Sequence, residues 1–185
     1  MDRAQITKRI QEVTARLDGI SDSLPAAIGR HLAEWYRSTA EKCVTDEPEL
    51  VESLGSPLST MKAEITAAVD GISEQVRQTL GPSSHLWVHH TGRDVAVLAL
   101  NHKPGQMPEA FISALEPLTS NPLSETLARY GFRAHHVPLA FSREIIATAS
   151  EYISLVMEQR KLTHELDQAG AEQKRLRAAE LWKKA

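Results

Sequence analysis

Ile6, Ile10, Val13, Leu17, Ile20 and Leu24 recur at spacings of 4-3-4-3-4. That is the heptad pattern of a helix that hides one narrow apolar stripe against a second helix. Gly19 weakens this first helix by about 1 kcal/mol relative to alanine. Pro25 restricts Leu24 and marks either a break or the first turn of a new helix. From Pro25 to Val44 a further helix is expected, with Ile28, Leu32, Trp35, Thr39 and Cys43 as its inner stripe. Thr45-Asp46-Glu47-Pro48 is a helix-start signal for a short helix Glu49–Leu54, stopped by Gly55. Ser56-Pro57 opens the next long helix, lined by Met61, Ile65, Val69, Ile72, Val76 and Leu80 and stopped at Gly81-Pro82.

The period then changes. His85–His90 and Asp94–Leu100 are rich in Val, Leu and Trp, with Gly92-Arg93 between them, which fits a type II′ hairpin. Pro108–Leu118 reads as a helix interrupted at Pro117, Leu123–Tyr130 as a short helix closed by Gly131, and Phe132–Leu139 as a third strand ending at Pro138. From Ser142, a good N-cap, the helical period returns. Ile145, Tyr152, Leu155, Leu162, Leu166, Ala169 and Leu176 keep the 3-4 spacing, broken by Gln159 and Gln173. Forty residues of helix measure about 60 Å, so this helix must project or pair along its length.

The predicted architecture is therefore mainly α with a small α+β insert. Residues 1–81 form heptad-bearing helices, 82–141 a ββαβ head, and 142–185 a long C-terminal helix that packs on the first region or on a partner.

One internal repeat stands out. Thr14–Leu24 and Thr66–Val76 share T-A-x-[LV]-D-G-I-S-[DE]-x-[LV]. Few residue types fit a heptad, but Asp-Gly-Ile-Ser in the same register is hard to reach by convergence. The repeat points to helices that pack on one another or on copies of themselves.

Composition sharpens this picture. Hydrophobic residues make up 42% of the chain and charged residues 24%, an ordinary balance for a globular protein. Aromatics are only 5%, so the chain buries aliphatic stripes, the habit of helical bundles. A net charge of -3 gives no global field for nucleic acid or an anionic membrane, and neither is expected as a partner. No apolar run approaches the ~18 residues of a spanning helix, and no apolar leader opens the chain. The simplest placement is the cytoplasm.

Chemistry is sparse. The sequence holds no G-x-S-x-G, no Walker-type loop and no G-x-G-x-x-G. No catalytic residue, and no cofactor, is assigned. Cys43, the only cysteine, sits in an apolar stripe and reads as a small hydrophobe. Six of eight histidines fall between His85 and His136. His89, His90, His135 and His136 lie on predicted strands and are the candidates for a metal site, since imidazole suits Zn, Ni or Cu. No motif spacing supports that site. Lys174–Lys184 carries five basic residues against one acid, with Leu176, Leu181 and Trp182 among them. It reads as a solvated helix end or a partner-binding helix.

The expected function is a non-enzymatic assembly or adaptor subunit of a cytosolic complex, acting through coiled-coil packing in a homo-oligomer or hetero-complex. The interaction residues would be Ile6, Ile10, Val13, Leu17, Ile20, Leu24, Ile65, Val69, Ile72, Val76, Ile145, Tyr152, Leu155, Leu162, Leu166, Leu176 and Trp182. One alternative is a metal or ligand sensor, or an enzyme, built on the histidine-rich head. Another is a nucleic-acid or membrane-surface binder acting through the basic C-terminal helix. A buried Leu or Ile contributes about 1.5–3 kcal/mol, so Leu17→Asp or Ile72→Asp is expected to unfold or dissociate the assembly. Unchanged mass by light scattering and an unchanged thermal midpoint in both variants would refute the seam.

Overall fold

Asp2 opens the first helix with a reciprocal cap. Its carboxylate accepts from the Gln5 amide at 2.8 Å and its own amide donates to the Gln5 side chain at 3.0 Å. The helix that follows, α1 (Arg3–Thr45), is one continuous rod of 43 residues, about 65 Å long. The computed structural model describes residues 2–81, 103, 105–133 and 137–184. Within them lie α2 (Pro48–Leu54), α3 (Pro57–Leu80), α4 (Glu109–Leu115) with a 3-10 turn at Glu116–Leu118, α5 (Ser120–Arg129) and α6 (Arg143–Lys184). The chain is mainly helical.

Three expectations need correcting. Pro25 does not break the rod: it sits buried inside α1. An interior proline costs about 3 kcal/mol because it has no N–H for the carbonyl four residues back. Apolar burial on both sides holds the helix through it, since Leu24 and Ile28 are 2% and 0% exposed. The inner stripe beyond Pro25 is also turned. It runs Ile28, Leu32, Tyr36, Ala40, at steps of four, and leaves Trp35, Thr39 and Cys43 half-buried. The Tyr36 hydroxyl pairs with Thr126 of α5, which draws this edge of α1 inward.

The ββαβ head is likewise not borne out, for no strand occurs among the described residues. The hairpin strands His85–His90 and Asp94–Leu100 lie outside them. Of the third strand, Phe132, Arg133 and Val137–Leu139 are described and irregular. The reason is where their amides go. Gly131 (φ +87°) closes α5, its N–H donating to Ala128 O and the Phe132 N–H to Leu127 O, both at 3.0 Å. That is a Schellman cap. The Arg133 amide then donates to Glu47 at 3.0 Å. With the Phe132 and Arg133 amides committed and Pro138 lacking one, the described residues of this stretch join no ladder.

α1 is the spine. α3 lies antiparallel along its C-terminal half and α6 antiparallel along its N-terminal half. α4, α5 and the 3-10 turn close the bundle over α3 and α1. One continuous apolar core results, from Ile6 and Leu162 at one end to Met61 and Leu127 at the other.

The α1–α3 approach is close because Gly29 meets Ser73. A Cβ on Gly29 would lie 3.0 Å from the Ser73 Cα, whereas one on Gly19 meets nothing within 4 Å. Gly29→Ala should therefore destabilise by about 1–3 kcal/mol through overpacking. Gly19→Ala should stabilise by up to about 1 kcal/mol through helix propensity. Chemical denaturation of the two variants checks the sign; the same sign for both would refute this packing.

Candidate interaction site

The seam between α1 and α6 is built from both predicted stripes. Ile6, Val13, Leu17, Ile20 and Leu24 are buried on α1, with Ile10 half-buried; Ile145, Tyr152 and Leu162 are buried on α6, with Leu155 and Leu166 half-buried. Ala149 and Val156 are also buried. Sequence reasoning missed both, although Val156 follows Tyr152 by one helical turn.

The polar flanks set the register. Arg9 Nε donates to Glu158 at 2.7 Å. Seven residues along α1, Arg16 donates through Nε and Nη2 to both oxygens of Glu151, seven residues back along α6, at 2.7 and 3.0 Å. The Arg16 guanidinium holds the Glu151 carboxyl below the usual glutamate range. Inside the seam, Gln159 Nε2 donates to Thr14 Oγ1 at 2.7 Å, and Thr14 donates onward to Ile10 O at 2.8 Å. A cavity of about 110 Å³ lies beside this pair, between Ser21, Asp18 and Tyr152. Shifting α6 by one turn would break these bonds and leave a half-buried amide against apolar side chains.

The repeated motif occupies equivalent settings without packing on itself. Leu17, Ile20 and Leu24 are buried against α6, and their counterparts Val69, Ile72 and Val76 are buried along α1, while Asp18 and Asp70 face solvent in both copies. The repeat therefore serves one helix-packing role twice within the chain.

The predicted residues Leu176 and Trp182 behave differently. Arg3 reaches Gln173 at 3.3 Å, which places the start of α1 beside Gln173. Beyond that point α6 continues for eleven residues, about 16 Å, without a neighbouring helix among the described residues. Residues 171–182 are all exposed. Leu176 is 61%, Leu181 69% and Trp182 84% exposed. On a helical wheel Leu181 and Trp182 share one side of this overhang with Ala171 and Ala178, and Leu176 continues the seam side.

A second apolar surface lies at the far end of α1. Ala40, Val44, Met61, Ile65 and Val69 form an open groove of about 360 Å³ between α1 and α3, edged by Arg37, Glu41, Lys62 and Thr66. Ile65, a predicted seam residue, is half-buried in its wall.

Chemical groups add little to these surfaces. His89, His90, His135 and His136 lie outside the described residues. Among the described residues no group of three or more His, Cys, Asp or Glu could hold a metal ion. His31 donates through Nε2 to Ala140 O at 2.9 Å and stacks on Phe141, which ties the start of α6 to α1. Burial, and then Asp46, push the Cys43 thiol up, which disfavours the nucleophilic thiolate. No described helix is long and apolar enough to cross a membrane. Comparison with family models, with curated proteins and with solved structures gives no match.

A double-mutant cycle on Arg16 and Glu151 should show favourable coupling at pH 7. Because Glu151 titrates lower in the folded than in the unfolded chain, its contribution is complete above the ordinary glutamate value of about 4.3. It is lost as pH falls through the lower, folded value. Coupling that is absent at pH 7, or unchanged in acid, would show that the pair does not hold the register.

Proposed function

We propose that this chain is a non-enzymatic assembly or adaptor subunit of a cytoplasmic multiprotein complex, and that it works through helix packing. In this reading α1 and α6 form an intramolecular antiparallel coiled coil, a stiff arm. The seam residues make the arm rather than the outward contact. The partner is met by the part of α6 that the arm leaves uncovered.

The observation that carries this reading is the overhang. Leu176, Leu181 and Trp182 stand in water on a helix with no neighbouring helix among the described residues, whose other large apolar side chains, Met157 excepted, are covered at least in part. Leaving such groups hydrated forgoes about 1.5–3 kcal/mol each. Aromatic anchors with basic neighbours are also the residues that dominate protein interfaces. Among the described residues, the largely apolar lining of the groove and the raised thiol of Cys43 support a packing role over a catalytic one.

A photo-crosslinking amino acid placed at position 176, 181 or 182 of the full chain tests the reading in cells. A discrete protein adduct is expected at these positions and not at Asp22, which is equally exposed on α1. The same adduct pattern at Asp22, or none at all three overhang positions, would refute it. Loss of protein adducts together with salt-sensitive retention on anionic vesicles or RNA would transfer the overhang to a charged surface.

A further inference from the structure

The overhang and the α1–α3 groove are uncovered apolar surfaces of the described residues, and they sit at opposite ends of a rod of about 65 Å. The stretches of sequence that adjoin them carry opposite charge. Residues 174–184 hold five basic groups against one acid, Glu180. Residues 41–52 hold five acids (Glu41, Asp46, Glu47, Glu49 and Glu52) against one base, Lys42. Glu41 lines the groove itself, Asp46, Glu49 and Glu52 are exposed beside it in sequence, and Glu47 accepts the Arg133 amide. The other charges on the groove edge are Lys62 and Arg37, and Arg37 is paired with Glu34 at 3.0 Å.

We infer that the partner of the overhang is a second copy of this chain, and that copies associate head to tail, the overhang of one lying in the α1–α3 groove of the next. This rests on the interaction reading above and names its partner. A groove between two packed helices is the seat for a third, with anchors at helical spacing. Trp182 and Leu181 supply the anchors; Ala40, Met61 and Val69 supply an apolar floor at 2%, 0% and 5% exposure. The basic flank then approaches the acidic end, which speeds encounter and sets direction. Overhang against overhang is disfavoured, since it sets like charges together. Because the two surfaces differ and lie at opposite ends, each added copy presents a free groove and a free overhang. Such an interface is heterologous and grows as an open chain unless its rotation closes a ring.

Three full-length variants test this. The first replaces the anchors (Leu176→Glu, Leu181→Glu, Trp182→Glu), all exposed, so the fold is untouched. The second reverses the acidic end (Glu41→Lys, Glu49→Lys), and a further variant, Ile65→Arg, blocks the groove wall. Sedimentation velocity of the unmodified chain at low salt should give a mass that climbs with concentration past twice the 20.5 kDa of one chain. It should fall back to one chain at high salt. Each variant alone should stay monomeric. The anchor variant mixed with the acidic-end variant should pair one to one, since each keeps the surface the other lacks. A monomer at every concentration in low salt, or a discrete dimer indifferent to the groove and acidic-end variants, overturns the inference. The crosslinker at position 182 separates the two ideas: an adduct with a different protein ends the head-to-tail inference and leaves the interaction reading standing, whereas no adduct ends both.

Discussion

Everything in this fold is positioned by the unbroken course of α1. Its N-terminal stripe is covered by α6 and its C-terminal stripe by α3, and the two coverings meet near Pro25. A break at Pro25 would separate the α6 pair from the bundle. The helix stays continuous through an unfavourable residue because both of its halves are buried at once. Truncating a buried leucine such as Leu24 or Leu32 would cost about 2–5 kcal/mol, comparable with the proline penalty, and such side chains lie on either side of the ring.

The apolar stripes supply cohesion but little direction, because aliphatic side chains tolerate a shift of one turn. Direction comes from a few polar groups. The heptad-spaced Arg9–Glu158 and Arg16–Glu151 pairs and the internal Thr14–Gln159 bond are satisfied together in one antiparallel register. Exposed ion pairs hold little energy individually. Their value is that the alternatives leave them unmatched, and the half-buried amide of Gln159 makes the alternatives costly. At the other end Gly29 and Ser73 do a similar task through shape, admitting α3 to a distance that a larger residue would forbid.

How much of this was legible in the sequence depended on how much of each signal was local. The limits of α2 and α3 and the caps at Ser142 and Gly131 are written in residues a few positions apart, and the structure keeps them. The heptad stripes also read correctly as buried faces, but not their partner: nothing in Ile6–Leu24 says whether the covering helix comes from the same chain. The turn of the α1 stripe toward Tyr36 needed Thr126, ninety residues away. The third strand failed for a different reason. Phe132–Leu139 has strand-like composition, but its leading amides are taken by the α5 cap and by Glu47 before a neighbouring strand could use them. The overhang was legible as a basic helix end. That it stands free depended on where α1 begins relative to Gln173, which no periodicity encodes.

The distance along the chain between the two halves of the α1–α6 seam has a consequence during synthesis. The stripe Ile6–Leu24 leaves the ribosome well over a hundred residues before its covering residues, Ile145–Leu166. At about 5–20 residues per second the gap lasts on the order of 10 s. Helix formation takes about a microsecond and loop closure far less than a millisecond, so α1 and α3 are paired long before α6 exists. Through that interval the newborn chain holds an apolar strip of some twenty residues ready-shaped for a helix that has not yet been made. The strip must be shielded, or must wait, and a chain translated beside it carries the same strip.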